Sequence, residues 1–123
     1  MSVGQCNPDH FSLKSFLEKT FICEIIRIDS TNEALEELRK NHYDLVIVNR
    51  KLDIDYSDGL LLIQKMQENS DLSKIPAMLL SNYPEAQKEA TENGGILGFG
   101  KLDYGKPETV EKIRGFLPVL NFR

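Results

Sequence analysis

The sequence contains no apolar run approaching the roughly 20 residues that cross a bilayer, and no charged-then-apolar leader opens it. A cytoplasmic location and no membrane role are therefore expected. Basic charge is not in excess either. Fifteen Lys and Arg stand against 19 Asp and Glu, a formal charge of −4, whereas a nucleic-acid module normally carries a basic stripe. Cysteine is scarce, with Cys6 and Cys23 alone among 123 residues, as suits a reducing compartment. If Cys6 ends one strand and Cys23 begins its parallel neighbour, they lie on the order of 13 Å apart at about 3.3 Å per residue. That is too far for a disulfide, which needs Cα atoms within about 7 Å. His10 and His42 lack metal-ligand spacing and read as surface residues. No internal repeat or linker divides the chain, so residues 1–123 read as one domain.

What is present is a regular alternation. A short strand at Ser2–Cys6 runs into "NPDH", where Asn7 can cap a helix and Pro8 suits its first turn. Leu13, Phe16, Leu17 and Thr20 follow at helical spacing. "FICEIIRI" (21–28) reads as a second strand, and "STNEALEELRKN" as a helix with Ser30 and Glu33 in capping-box register. "DLVIVN" (44–49) is an uninterrupted run that implies burial on both faces. A helix from about Asp58 to Asn69 turns Leu60, Ile63 and Met66 inward. "IPAMLLS" (75–81) is a fourth strand, with Pro76 at its entrance. "PEAQKEATEN" is a thinly amphipathic helix ended by Gly94-Gly95, "ILGFGK" (96–101) a fifth strand, and residues 107–117 a last helix.

Five strands alternating with five helices predict a doubly wound parallel α/β sheet. In such folds ligands sit beyond the carboxyl ends of the strands, where the strand order switches. Cys6, Asn49, Ser81 and Lys101 are thereby expected on one rim.

The order of elements, "EALEEL" after the second strand, "YDLVIVN" followed by "DGL", the strand ending in Ser81, and "ENGGILGFGK" together resemble the response-regulator receiver family of two-component signalling. The resemblance covers nearly the whole chain. It implies a flavodoxin-like sheet of order 2-1-3-4-5. It also implies a site in which an acidic pair after the first strand and an Asp ending the third strand hold a divalent cation. That Asp accepts the phosphoryl group, and a Ser/Thr and a Lys ending the fourth and fifth strands contact it. By position Ser81 matches the hydroxyl and Lys101 the lysine. Asn49 stands at the acceptor position, and Gln5 with Cys6 at the acidic pair; a one-residue slip would offer Cys6 and Asn7.

The chemistry implied by the resemblance then fails. A neutral amide is not the anionic nucleophile that forms an acyl phosphate. Magnesium favours hard oxygen ligands, usually carboxylates, and three are missing, so Mg²⁺ is expected to bind weakly or not at all and no cofactor is expected. Three close acids would repel without a cation, so their loss can stabilise the fold, with Lys101 hydrogen-bonding the Asn49 carbonyl oxygen. A small anion is a second occupant to weigh, since a lysine and helix N-termini suit one. Gly98 holds the position three before the lysine that is often aromatic in the family. Phe99, one step out of phase, points to the opposite face and reads as core. Leu102 replaces the usual following proline.

The expectation is a degenerate pseudo-receiver, not an enzyme, that acts by protein–protein contact in a two-component or phosphorelay context. Its expected contact surface, possible also for self-association, is the fourth helix, fifth strand and fifth helix, by family analogy. Two alternatives stand beside it. One is a phosphorylation-competent receiver using Asp53 or Asp55; the other is a redox sensor centred on Cys6, whose thiol faces a helix N-terminus. Asp53, Asp55 and Asp58 read as a solvated turn rather than a calcium loop. Gly59 falls one place late for an EF-hand, and Gln64 stands where the bidentate Glu would be. Ser81 has no evident histidine partner, which argues against a hydrolase.

Overall fold

The computed structural model describes residues 1–120. Five parallel strands form one sheet: β1 (Ser2–Val3), β2 (Arg27–Ile28), β3 (Val46–Asn49), β4 (Ala77–Leu80) and β5 (Ile96–Phe99), in the order β2-β1-β3-β4-β5. The helices are α1 (Asn7–Thr20), α2 (Thr31–Lys40), α3 (Leu60–Gln67), α4 (Pro84–Glu92) and α5 (Pro107–Arg114). Successive residues of β3 explain why its run is uninterrupted. Val46 and Val48 join Leu35, Leu62 and Met66 on the α2–α3 face, while Ile47 joins Leu13, Met78 and Phe99 on the opposite one. Each such side chain contributes about 1.5–3 kcal/mol by leaving water.

The two N-terminal strands are shorter than the sequence suggests. β1 ends at Val3, so Cys6 is not a strand residue but the N-cap of α1, displacing Asn7 to the first helical position. Residues 21–26 are not in the sheet. Phe21 instead forms an antiparallel bridge with Val119, and Ile22 N donates to Pro118 O at 2.8 Å. The apolar pattern of 21–28 thus serves a clamp on the end of α1 as well as a strand. Both cysteines are free thiols. Ser30 caps α2 through Oγ, which accepts from Glu33 N at 3.2 Å.

The β4–β5 pairing shifts register. Met78 pairs with Ile96 but Leu80 pairs with Phe99, so β5 spends one extra residue. The unpaired groups are taken up by Gln87 of α4, which is 8% exposed. Its Oε1 accepts from Gly98 N at 2.9 Å, and its Nε2 donates to Leu79 O at 2.9 Å and Ser81 O at 3.1 Å. Gly98 is required by this close approach. A Cβ there would sit 2.3 Å from Leu79 O.

His10 departs from expectation: it is 8% exposed, packed on the inner side of α1. Burial pushes its imidazole pKa down, with the charges of Arg27 and Lys14 acting in the same direction. His42 is exposed and contacts Asp44 at 2.9 Å.

Candidate functional site at the carboxyl rim

Asn49 ends β3, Ser81 follows β4, and Lys101 opens a single 3₁₀ turn (Lys101–Asp103) after β5. Because the three strands are parallel neighbours, their ends converge. The three residues line one cleft of about 450 Å³ with Arg50, Lys51 and Tyr83. Gln5 and Cys6 do not line it. A larger hollow, about 1040 Å³, lies at the opposite end of the sheet among Tyr43, Asp44, Asn69, Pro76 and Phe116. In doubly wound sheets the carboxyl ends bind ligands, so size alone does not make the larger hollow the site.

Asn49 uses its amide as a donor: Nδ2 gives a hydrogen bond to Lys51 O at 2.8 Å. A carboxylate there would face that carbonyl oxygen with no proton between them. The loop that follows is a closed hairpin. Leu52 N donates to Ser57 O at 2.9 Å, Gly59 N to Arg50 O at 2.8 Å, and Lys51 pairs with Asp58. Its root is anchored by Leu52, fully buried, and by Asp53 N donating to Gly4 O at 2.9 Å. Gly59 must be glycine because a Cβ would come within 2.0 Å of Asn49 O.

Lys101 does not hydrogen-bond Asn49. Its Nζ donates to Asp9 Oδ2 in the first turn of α1. A carboxylate is a stronger partner for an ammonium than an amide carbonyl, and Asp9 also suits the helix N-terminus. The Lys101 ammonium, and after it the Cys6 thiol, hold the Asp9 carboxyl below its usual range against the opposing effect of burial. Asp9 is an acid on the rim that strand-end reasoning misses. Its sequence signal was its place in the first turn after Cys6.

Ser81 is 9% exposed, and its Oγ accepts from Tyr83 N at 3.1 Å. Arg50 lies over the Tyr83 ring, 5.1 Å from the centroid. Gln5 is 1% exposed, and neither atom of its amide has a partner among the described residues. Its backbone carbonyl accepts from Arg27 at 3.1 Å. Asp53 and Asp55 are exposed on the hairpin, and Asp55 accepts from Ser57 N and Oγ. Those bonds hold its carboxyl below the ordinary range.

At the rim the carboxylates Asp9 and Asp58 are each paired with a lysine, Lys101 and Lys51, and Gln5 and Asn49 offer only amides. Among the described residues no three His, Cys, Asp or Glu stand close enough to hold a metal ion. A donor set of neutral amides and lysine-paired acids does not fit a hard divalent cation.

The architecture is that of a response-regulator receiver: a flavodoxin-like, all-parallel sheet of order 2-1-3-4-5 with helices on both faces. One solved structure it is similar to is the Mn²⁺-bound form of response regulator Rcp1, with a TM-score of 0.69 over 99% of this chain and 96% of that one. At 18% sequence identity the likeness establishes the fold. No family model and no curated protein sequence matches the chain. Among the described residues no helix is long and apolar enough to cross a membrane.

Proposed function

We propose that this chain is a pseudo-receiver: a non-enzymatic signalling module with the receiver architecture that has given up Asp phosphorylation and works by protein–protein contact in the cytoplasm. The observation that carries the reading is Asn49. It occupies the end of β3, and its amide is consumed in a hydrogen bond to Lys51 O that a carboxylate could not make. Lys101, which would otherwise meet a phosphoryl group, is neutralised by Asp9. Magnesium has no place in the mechanism, because the acids that would hold it are Gln5, Cys6 and Asn49 here.

The relay between site and surface is also altered. Gln87 stitches α4 to both β4 and β5, and fills the space in which a side chain at position 98 would have to move. The face formed by α4, β5 and α5 is therefore held in one conformation, which suits constitutive partner binding rather than a switched one. That face is the proposed contact surface.

The test is intact mass spectrometry after incubation with a small acyl-phosphate donor and Mg²⁺, with peptide mapping. The expected result is an unchanged mass. A stoichiometric phosphoryl adduct would refute the reading, and mapping it to Asp53 or Asp55 would favour the alternative acceptors.

A further inference from the structure

At the amino end of the sheet, opposite the rim, residues 22–26 run outside the strands, and a cavity of about 470 Å³ opens between them and the start of β3. Its inner wall is apolar, built of Leu17, Ile47 and Leu117. Three carboxylates line it, those of Glu24, Glu37 and Asp44, and no lysine or arginine does. Asp44 is engaged by His42 at 2.9 Å, whereas Glu24 and Glu37 enter no ion pair among the described residues. Tyr43 is close to both. Its hydroxyl donates to Glu37 at 2.7 Å, and burial, that bond and the charges of Glu37 and Glu24 push its pKa up to about 12. The Met1 amine, which also lines the cavity, donates to Leu45 O at 2.9 Å, and burial pushes its pKa down to about 6. It is therefore mostly neutral at neutral pH and leaves the acidic character of the cavity in place. A separate observation points to an occupant. Ser2 lines the same cavity, is 2% exposed, and its hydroxyl has no partner among the described residues. Ser2 pairs with Ile47 in the parallel β1–β3 ladder, so the two side chains share a face of the sheet and the hydroxyl stands beside the apolar inner wall. A buried hydroxyl without a partner is costly, and a ligand that reaches it removes the cost.

We infer that this cavity binds a small organic ammonium ion, its cation held at the mouth by Glu24, Glu37 and the Tyr43 ring, its apolar body lying on Leu17 and Ile47, and a polar tip meeting the Ser2 hydroxyl. Glu24 is exposed and Glu37 and Tyr43 are half-buried, so the charged end of the ligand stays near water while its body leaves it. An aromatic face beside carboxylates suits a cation, and the volume falls within the range of about 300–1,000 Å³ usual for small-molecule sites. No covalent bond is made or broken. Such a site gives the module a ligand input at the end of the sheet opposite the rim, and it holds whether or not the rim accepts a phosphoryl group.

The test is a titration of ¹⁵N-labelled protein with tyramine, with phenethylamine, and with uncharged para-ethylphenol, at neutral pH and constant ionic strength. The expected result is saturable shifts confined to the amides around the cavity, among them Ser2, Glu24, Tyr43 and Leu45. Tyramine should bind about three- to tenfold more tightly than phenethylamine, the gain of one hydrogen bond, and Ser2→Ala should abolish that difference. Para-ethylphenol, which lacks the ammonium, should bind about tenfold or more weakly than tyramine. Glu37→Gln keeps an oxygen for the Tyr43 hydroxyl but should weaken both amines by about tenfold or more, the loss of one charge-assisted bond. Glu24→Gln, at an exposed position, should weaken them about two- to fivefold. Shifts that do not saturate, that map to the carboxyl rim, or that para-ethylphenol reproduces at equal affinity would overturn the inference. So would amine affinities left unchanged by both Glu37→Gln and Glu24→Gln.

Discussion

Lys101 and Asp9, 92 residues apart in the chain, form an ion pair between the turn after β5 and the first turn of α1. The pair gives a lysine of the rim cleft an anion of the protein's own. Its side chains are 37% and 31% exposed, so solvent screens it.

Asp9→Asn is expected to cost about 1 kcal/mol or less at neutral pH, the range of partly exposed pairs. The sign follows from the depressed carboxyl pKa of Asp9. The stability it adds is present above the unfolded value of about 3.9 and is lost as pH falls through the folded value. Urea unfolding of the two proteins should therefore differ at pH 7 and draw together as pH falls below the unfolded carboxyl value of about 3.9.

His10 acts in the same direction, but beginning at a higher pH. Burial lowers its folded pKa, so the unfolded chain takes up a proton first as the solution is acidified. Its contribution to stability should be intact above the unfolded value of about 6.5 and decline from there until pH passes below the folded value. Comparing the pH dependence of urea midpoints in wild type and His10→Phe should show a shallower acid slope in the variant; parallel slopes would refute this assignment.

Gln87→Leu removes three hydrogen bonds at once and strands Gly98 N–H, Leu79 C=O and Ser81 C=O in the sheet. A loss of about 2–4 kcal/mol is expected, since each buried unsatisfied group costs about 1–3 kcal/mol and the sheet relaxes in part. Amide hydrogen exchange should accelerate at Gly98 and leave β3 unchanged. A variant as stable as wild type would mean that the β4–β5 shift does not depend on this side chain.

Asn49→Asp places a carboxylate at the end of β3, where the proposed reading holds that one has been given up. The new carboxylate would face Lys51 O, from which the amide now draws a 2.8 Å bond. The variant should be less stable at pH 7 by about 1–3 kcal/mol, with the loss shrinking as acidification protonates the carboxyl. Millimolar Mg²⁺ should not restore its melting temperature, because Gln5 and Cys6 supply no further anion.

How far the sequence could be read depends on the range of the interaction. The strand ends Asn49 and Ser81 follow apolar runs buried on both faces, and parallel pairing brings them to one rim with Lys101; these were legible. Gln87 was not, because a lone polar residue on a thinly amphipathic helix reads as solvated until the β5 bulge that it satisfies is known. Asp9 was hidden because its partner lies across the fold, and because Cys6 was assigned to a strand rather than to the helix cap. The run 21–28 misled for a related reason. Its first residues pack against Phe16 and bridge Val119, so their hydrophobicity serves a contact other than the sheet. Arg50 stacked on Tyr83 joins two loops that no local pattern connects.

The central claim is that the rim keeps the shape of a receiver site while lacking the charge to hold a divalent cation. The most direct measurement is paramagnetic broadening of the amide resonances during a Mn²⁺ titration. The expected outcome is that Asn49, Ser81 and Lys101 keep their intensities up to millimolar metal, with only weak and scattered losses near exposed acids. Selective, saturable broadening of those three resonances would contradict it.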